Sequence, residues 1–329
     1  MNMRDLFTCI LRSGYPRLVD SDVDPKGVRV GPKKRRRLLL CLLGAGLLLW
    51  IASSGIAAWK LSRRPQSRCA EPISKVSSTA VEERRLKTSD GIDLGAWLSP
   101  RAGNRPTLLL LHGNGAARSS FAKLIPFLER EGFGVLALSM RAHGDSTGDV
   151  NDFGYSARHD VIAAIAFLEQ ERPGRPIVII GESLGAAAAL FAAKDCVGRV
   201  KGYLFAAPYD GLDTAVWNRC NRYLFPPLTQ AAYAGLLLWS PVFLPVSIKR
   251  VRPSEHLRDI PETVPVTFFA SEDDRYARIR EVTSMAEAIQ SHARIISVHG
   301  GGHGQFLSIH EAEYRQAILD LVAQVDRSN

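Results

Sequence analysis

Residues 177–185 read Ile177-Val178-Ile179-Ile180-Gly181-Glu182-Ser183-Leu184-Gly185, and the alanine-rich stretch Ala186 to Lys194 follows directly. Four β-branched residues in a row predict a buried strand over Ile177–Ile180, and the run of strong helix formers predicts a helix over Ala186–Lys194. Between them stands G-x-S-x-G in the context the motif requires: strand, sharp turn, helix. Such a turn lifts a serine hydroxyl above the sheet, and the flanking glycines let strand and helix approach without Cβ clashes. The positive end of the helix dipole favours negative charge developing beside the serine. Ser183 is therefore the candidate nucleophile.

Working outward from this turn, short apolar runs recur at Thr107–Leu111, Gly134–Leu138, Gly202–Phe205, Val266–Phe269 and Arg294–Val298. Helical patterns lie among them over Ser119–Glu131, Asp160–Glu171 and Glu311–Val325. The alternation predicts an α/β fold with a mainly parallel sheet covered on both faces. Arg84–Lys87 and Ile92–Leu98, broken by Ser89-Asp90-Gly91, predict an opening antiparallel hairpin.

Three loops at predicted strand ends carry chemistry. His112-Gly113-Asn114-Gly115 follows Thr107–Leu111. Acyl transfer needs two donors aimed at an oxyanion. The N–H of Leu184, next after the serine, is one candidate, and the N–H of Asn114 the other. His112 stands at a strand end ahead of the nucleophile and reads as a loop-fixing residue. In Gly300-Gly301-Gly302-His303-Gly304, after the last strand, glycines on both sides let the loop carry an imidazole over the sheet. The near-neutral pKa of imidazole suits proton transfer to and from a serine. His303 is the candidate general base, and His299 reads as structural. For the acid, Glu272, Asp273 and Asp274 compete after Val266–Phe269, with Asp210 a fourth candidate.

The formal charge is +9, but residues 1–75 hold 15 Lys/Arg against 5 Asp/Glu, and residues 76–329 hold 27 against 28. The basicity belongs to the leader and not to a basic stripe on a folded domain, so nucleic acid is not an expected partner. In the leader, Lys33-Lys34-Arg35-Arg36-Arg37 precedes Leu38–Trp59, 22 residues without a charge. At about 1.5 Å per residue this matches the roughly 30 Å hydrocarbon layer and predicts a transmembrane signal anchor. A cleaved leader is the competing reading, but its apolar region should span only about 7 to 15 residues. The five-residue basic run places the N-terminus in the cytosol and the folded domain on the other side, although Lys60, Arg63, Arg64 and Arg68 weigh against it. The expected organisation is a basic tail over 1–37, the anchor over 38–59, a linker over 60–80 rich in Pro and Ser, and a globular domain over 81–329. None of the five cysteines forms a CxxC pair or has a His at metal-ligand spacing, so no metal is expected. Cys196 and Cys220 either pair or serve as small buried hydrophobes.

Residues 81–325 resemble the α/β-hydrolase superfamily, in the branch of monoglyceride-lipase-like, serine-aminopeptidase-like and membrane-anchored α/β-hydrolase-domain proteins. The resemblance rests on His112-Gly113-Asn114-Gly115, the loop Arg141-Ala142-His143-Gly144-Asp145-Ser146-Thr147-Gly148, the Ser183 turn, the acid loop and the His303 loop. Ala142 stands where the family's loop has its first glycine, and Ala270 and Ala277 where the acid loop often has Gly and Pro. The resemblance implies an eight-stranded α/β-hydrolase sheet and hydrolysis of an ester, thioester or amide through an acyl-enzyme, with no cofactor. It also selects Asp273, three residues beyond the small residue that opens the turn. Residues 211–255, with Trp217, Phe225-Pro226-Pro227 and Trp239, read either as a lid over an acyl pocket or as ordinary packing helices. A serine hydrolase of lipid or small acyl esters or thioesters is expected. The alternatives are an aminopeptidase-like amidase and a membrane-tethered binding protein without turnover.

Overall fold

The computed structural model describes residues 32–76, 81–99 and 105–328, so the larger part of the expected tail lies outside the described residues. The chain divides into two compact units between Ser53 and Ser54. The first is the larger part of helix α1 (Pro32–Leu61), and its leucines between Leu38 and Leu49 are exposed along the helix. α1 is long and apolar enough to cross a membrane. Residues 33–37, expected within the tail, are already helical, as lysine and arginine permit.

The second unit is built on an eight-stranded sheet: β1 (Glu82–Lys87), β2 (Asp93–Ser99), β3 (Thr107–Leu111), β4 (Gly134–Ser139), β5 (Ile177–Glu182), β6 (Val200–Ala206), β7 (Val266–Ser271) and β8 (Ala293–Val298). The spatial order is β1-β2-β4-β3-β5-β6-β7-β8. β1 and β2 form the expected antiparallel hairpin, β2 meets β4 antiparallel, and every later pairing is parallel. The helices between strands are α2 (Leu124–Arg130), α3 (Arg158–Glu171) and α4 (Leu184–Phe191). α5 (Leu212–Tyr223), α6 (Leu228–Phe243), α7 (Ile279–Glu287), α8 (Phe306–Ile309) and α9 (Glu311–Ser328) follow.

Alternate residues of each central strand feed opposite cores, the two-residue period of a strand buried on both faces. Leu109, Leu111 and Ile179 pack with α3, α4 and α7. Leu108, Leu110, Val178 and Ile180 pack with α2 and α9. Register then assembles the site. Leu111 lies opposite Gly181, so the loops at His112 and Ser183 leave the sheet side by side. Ser271 lies opposite Val298, which brings the acid loop beside the His303 loop. Both meetings occur at the carboxyl ends of parallel strands, where such sheets hold ligands.

Residues 60–80, expected to be a linker, are instead built into the second unit over their described part, residues 60–76. Ser62, Glu71 and Val76 are buried, and Arg63 forms a β-bridge with Val150. Polar residues that read as a tether in the sequence have partners across the chain. The lid-like segment folds as α5 and α6, with Pro241 in the last turn of α6. Trp239 of α6 lies against the end of α1: its Nε1 donates to Ser54 Oγ at 3.2 Å. A Cβ on Gly55 would stand 2.9 Å from the indole, so glycine makes this approach possible. Cys196 and Cys220 are both free and buried.

Candidate active site

Ser183 sits between β5 and α4 with φ 48° and ψ −101°, a conformation that costs a non-glycine residue about 1–3 kcal/mol. The surroundings enforce it. A Cβ on Gly185 would fall 2.3 Å from the carbonyl oxygen of Leu111, and one on Gly181 would fall 2.7 Å from the amide nitrogen of Ala186. The Ser183 N–H donates to Ala206 O at 2.8 Å, which fixes the turn to the neighbouring strand.

His303 Nε2 lies 3.0 Å from Ser183 Oγ, and its Nδ1 lies 2.7 Å from Asp274 Oδ2. A neutral imidazole donating from Nδ1 to the carboxylate presents a lone pair at Nε2 to the hydroxyl, the tautomer a general base needs. The Asp274 side chain is fully buried, and its Oδ1 accepts the N–H groups of Tyr276 at 2.7 Å and Ala277 at 3.0 Å. Two backbone donors and one imidazole thus hold a single carboxylate in place.

This corrects the expected acid. Asp273 does not meet His303: its Oδ2 accepts the N–H of Gly300 at 2.6 Å and so ties the acid loop to the glycine-rich loop. Glu272 pairs with the exposed His299 at 3.1 Å, and Asp210 pairs with Arg252 at 3.1 Å. The register moves because β7 continues through Ser271, two residues past the apolar run that marked it in the sequence. The turn begins later and brings Asp274 inward.

His112 behaves as the loop-fixing residue expected. It is fully buried, its Nε2 accepts the N–H of Met140 at 3.0 Å, and its Nδ1 donates to Gly113 O at 2.8 Å. Burial first, and then the neighbouring His143, pull its pKa down to about 3, so it stays neutral. Leu184 opens α4, and its N–H therefore has no carbonyl within its own helix to bond. Asn114 lines the cavity that contains Ser183, and its Oδ1 accepts from Asn151 Nδ2 at 2.8 Å.

That cavity measures about 760 Å³ and contains Ser183 and His303. Its walls are mainly apolar, with Phe153, Leu212, Val216, Leu236 and Phe306 joined by Leu61 from the end of α1. Its charged residues are Arg219 and Glu182. Glu182 as a residue is only partly buried, yet its carboxyl group is enclosed, and that enclosure raises its pKa to about 7 against one lowering hydrogen bond from Tyr314 Oη at 3.2 Å. Arg219 lies over the ring of Tyr276, 4.8 Å from its centroid, and Tyr276 meets His303 edge-on. A second cleft, about 630 Å³ between Asp210 and Met285, contains none of the residues of the Ser183 chain.

Arg64, Glu71, Arg118 and Asn151 also belong to this region, and nothing local in the sequence marks them. Arg118 is buried with Glu71 at 2.8 Å and Asp145 at 2.5 Å. Ala142 has φ 60°, so the loop keeps the backbone geometry that a glycine serves in the resembled motif.

Residues 108–320 match the model of the alpha/beta hydrolase family. An uncharacterized protein of Bacillus subtilis, YqkD, is 23% identical over 68% of this chain and 72% of its own length. An uncharacterized membrane protein of Saccharomyces cerevisiae, YNL320W, is 24% identical over 56% of this chain and 68% of its own. Among solved structures, the Pyrococcus furiosus esterase Pf2001 superposes with a TM-score of 0.65 at 19% identity, covering 80% of this chain and 97% of the other.

Proposed function

The chain belongs to the alpha/beta hydrolase family, and on that premise we propose that it is a membrane-anchored serine hydrolase that cleaves acyl esters or thioesters through an acyl-enzyme. The observation that carries this reading is the hydrogen-bonded chain from Ser183 Oγ through His303 to the buried Asp274, at 3.0 and 2.7 Å, on a strained turn. Ser183 Oγ attacks the acyl carbon while His303 Nε2 takes its proton. The N–H groups of Leu184 and Asn114 bind the oxyanion. Collapse expels the alcohol or thiol, which receives the proton from Nε2, and water then repeats the sequence on the acyl-enzyme. Asp274 holds the tautomer and stabilises the imidazolium.

The apolar cavity favours an acyl chain as the group bound. An aminopeptidase-like amidase fits less well. A free substrate ammonium needs a carboxylate, whereas the cavity's exposed charge is Arg219 and its one acid, Glu182, is enclosed and half-protonated near neutral pH. α1 is the proposed anchor, with the N-terminus on the cytosolic side and the hydrolase domain opposite, following the Lys33–Arg37 run. The relative named as a membrane protein supports the anchor.

The test is a substrate panel on the purified chain: p-nitrophenyl esters of rising acyl length, an acyl thioester and an aminoacyl anilide. Ester or thioester turnover at least about 100-fold above the anilide in kcat/KM, about 2.7 kcal/mol of discrimination, supports the reading. Anilide preference would put the amidase in its place.

A further inference from the structure

The stretch that leaves α1, Ser62 to Glu71, takes no part in the chemistry just described, yet many of its polar contacts end on the Asn114 loop and on the neighbouring loop of residues 141–151, which meets Asn114 Oδ1 through His143 Nε2 at 3.3 Å. The backbone of Arg64 donates to Asp149 O at 2.9 Å, and its guanidinium reaches the carbonyls of Ser146 at 2.5 Å, Gly148 at 2.8 Å and Gly144 at 3.3 Å. Gln66 Nε2 donates to Gly115 O at 2.7 Å, one residue past Asn114. Ser62 O accepts the N–H of Asn151 at 2.9 Å, and Asn151 Nδ2 donates to Asn114 Oδ1. Glu71 Oε1 accepts the N–H of Ser119 at 3.1 Å, where the Asn114 loop re-enters the fold.

These contacts share a direction. Three of them close on the loop His112–Ser119 at its tip, its side and its exit. The Arg64 fork satisfies three carbonyls of a neighbouring loop that a solvent-facing side chain would leave to water. Asn151 is 4% exposed, and its Oδ1 is occupied by the N–H of Phe153 at 3.2 Å, so its amide is fixed in one orientation while it holds Asn114. Ser62 follows α1 directly and is bound to it through Ala58 O. From the end of the apolar helix to Asn114 there are thus two hydrogen bonds.

We propose that residues 62–71 form a strap that sets the position of the Asn114 N–H, with Arg64, Gln66 and Asn151 as positioning residues for the oxyanion. The inference rests on the serine-hydrolase reading. Its physical basis is the short range of oxyanion stabilisation: a missing donor costs about 10²–10³ in kcat, and a displacement of about 1 Å can cost about 10². A strap that only glues the fold together has a different signature, because it changes the fraction of folded enzyme and not the turnover of each folded site.

The experiment uses the full-length chain in detergent with Arg64→Ala, Asn151→Ala and Gln66→Ala. Active sites are counted by fluorophosphonate titration, and kcat and KM are measured on p-nitrophenyl butyrate per titrated site. A trifluoromethyl ketone provides the second reading. Ser183 Oγ adds to its carbonyl carbon, the proton passes to His303 Nε2, and the carbonyl electron pair becomes a bound oxyanion. Arg64→Ala and Asn151→Ala are expected to lose about 10-fold or more in kcat per site with KM within about 3-fold. The inhibition constant of the ketone should rise by the same factor. Gln66→Ala, at an exposed residue whose loss disturbs no buried contact, should lose about 3-fold and decides the matter alone if the other two do not fold. Unchanged kcat per titrated site, whatever the melting temperature does, overturns the strap. Absence of titration and turnover in the unsubstituted chain overturns the hydrolase reading first, and the strap with it.

Discussion

Neighbouring carboxylates can differ in role by the whole of catalysis when only one of them is turned inward. Asp274→Asn should lower kcat by about 10⁴, the cost when a histidine loses its tautomer-fixing partner, whereas Asp273→Asn and Glu272→Gln should each cost less than about tenfold. Steady-state kinetics of the three variants on one soluble ester, with melts to check folding, separates them. A dead Asp273→Asn enzyme would return the role to the residue that the family resemblance selects. Ser183 and His303 are legible in the sequence because each is flanked by glycines after an apolar run, a local signal. Asp274 is not, because its selection depends on β7 extending through Ser271 to pair with Val298, a contact between strands distant in the chain. Glu182 offers a pH test at the same scale. An unfolded glutamate titrates near 4.5, while burial holds the folded group at about 7. Between these values the folded state keeps a proton that the unfolded state has lost, so stability falls as pH rises from about 4.5 to 7 and then levels. Glu182→Gln cannot titrate, and its advantage in Tm over the unsubstituted chain should widen from pH 5 to pH 8. Parallel curves would show that the enclosed carboxyl is not protonated.

At the scale of elements, the tight union of β3, β5 and α4 places Ser183. Gly185→Ala drives a methyl group against the backbone carbonyl of Leu111, which no rotamer relieves. It should destabilise the domain by about 3 kcal/mol or more, the upper range for overpacking, as measured by urea denaturation. A loss under about 1 kcal/mol would mean that α4 moves freely over the sheet. The strand and helix periods disclose this sandwich because both faces of each central strand are buried. Residues 60–76 have the composition of a tether but are ordered within the second unit. Their order comes from Arg64 on loop carbonyls and Glu71 on Arg118, contacts spanning between 47 and 84 positions in the chain, and no local pattern encodes those. Glu71→Ala leaves the guanidinium of Arg118, 2% exposed, with Asp145 as its one carboxylate partner among the described residues. The expected loss is roughly 3 kcal/mol, near the lower end for breaking a buried ion pair, read from the same urea curves. An unchanged midpoint would show the segment to be dispensable for the fold.

For the whole molecule, the division at Ser53/Ser54 separates the larger part of α1 from the unit that carries the chemistry. The proposed anchor is legible as 22 uncharged residues after a basic run, and the structure adds that the last turns of α1, from Ser54, belong with the hydrolase unit. Truncation before Ser54 should therefore release the domain from carbonate-washed membranes with its esterase activity intact, while truncation after Glu71 should cost both stability and turnover. Equal activity in the two truncated forms would separate the helix end and strap from the site. Ser183 is proposed to be an acylatable nucleophile activated through His303 and Asp274, and mass spectrometry of the fluorophosphonate-treated chain puts that role to the test. One phosphonyl adduct is expected, on the peptide containing Ser183, absent in Ser183→Ala and formed far more slowly in His303→Ala. An adduct on another residue, or labelling that survives Ser183→Ala, would contradict it.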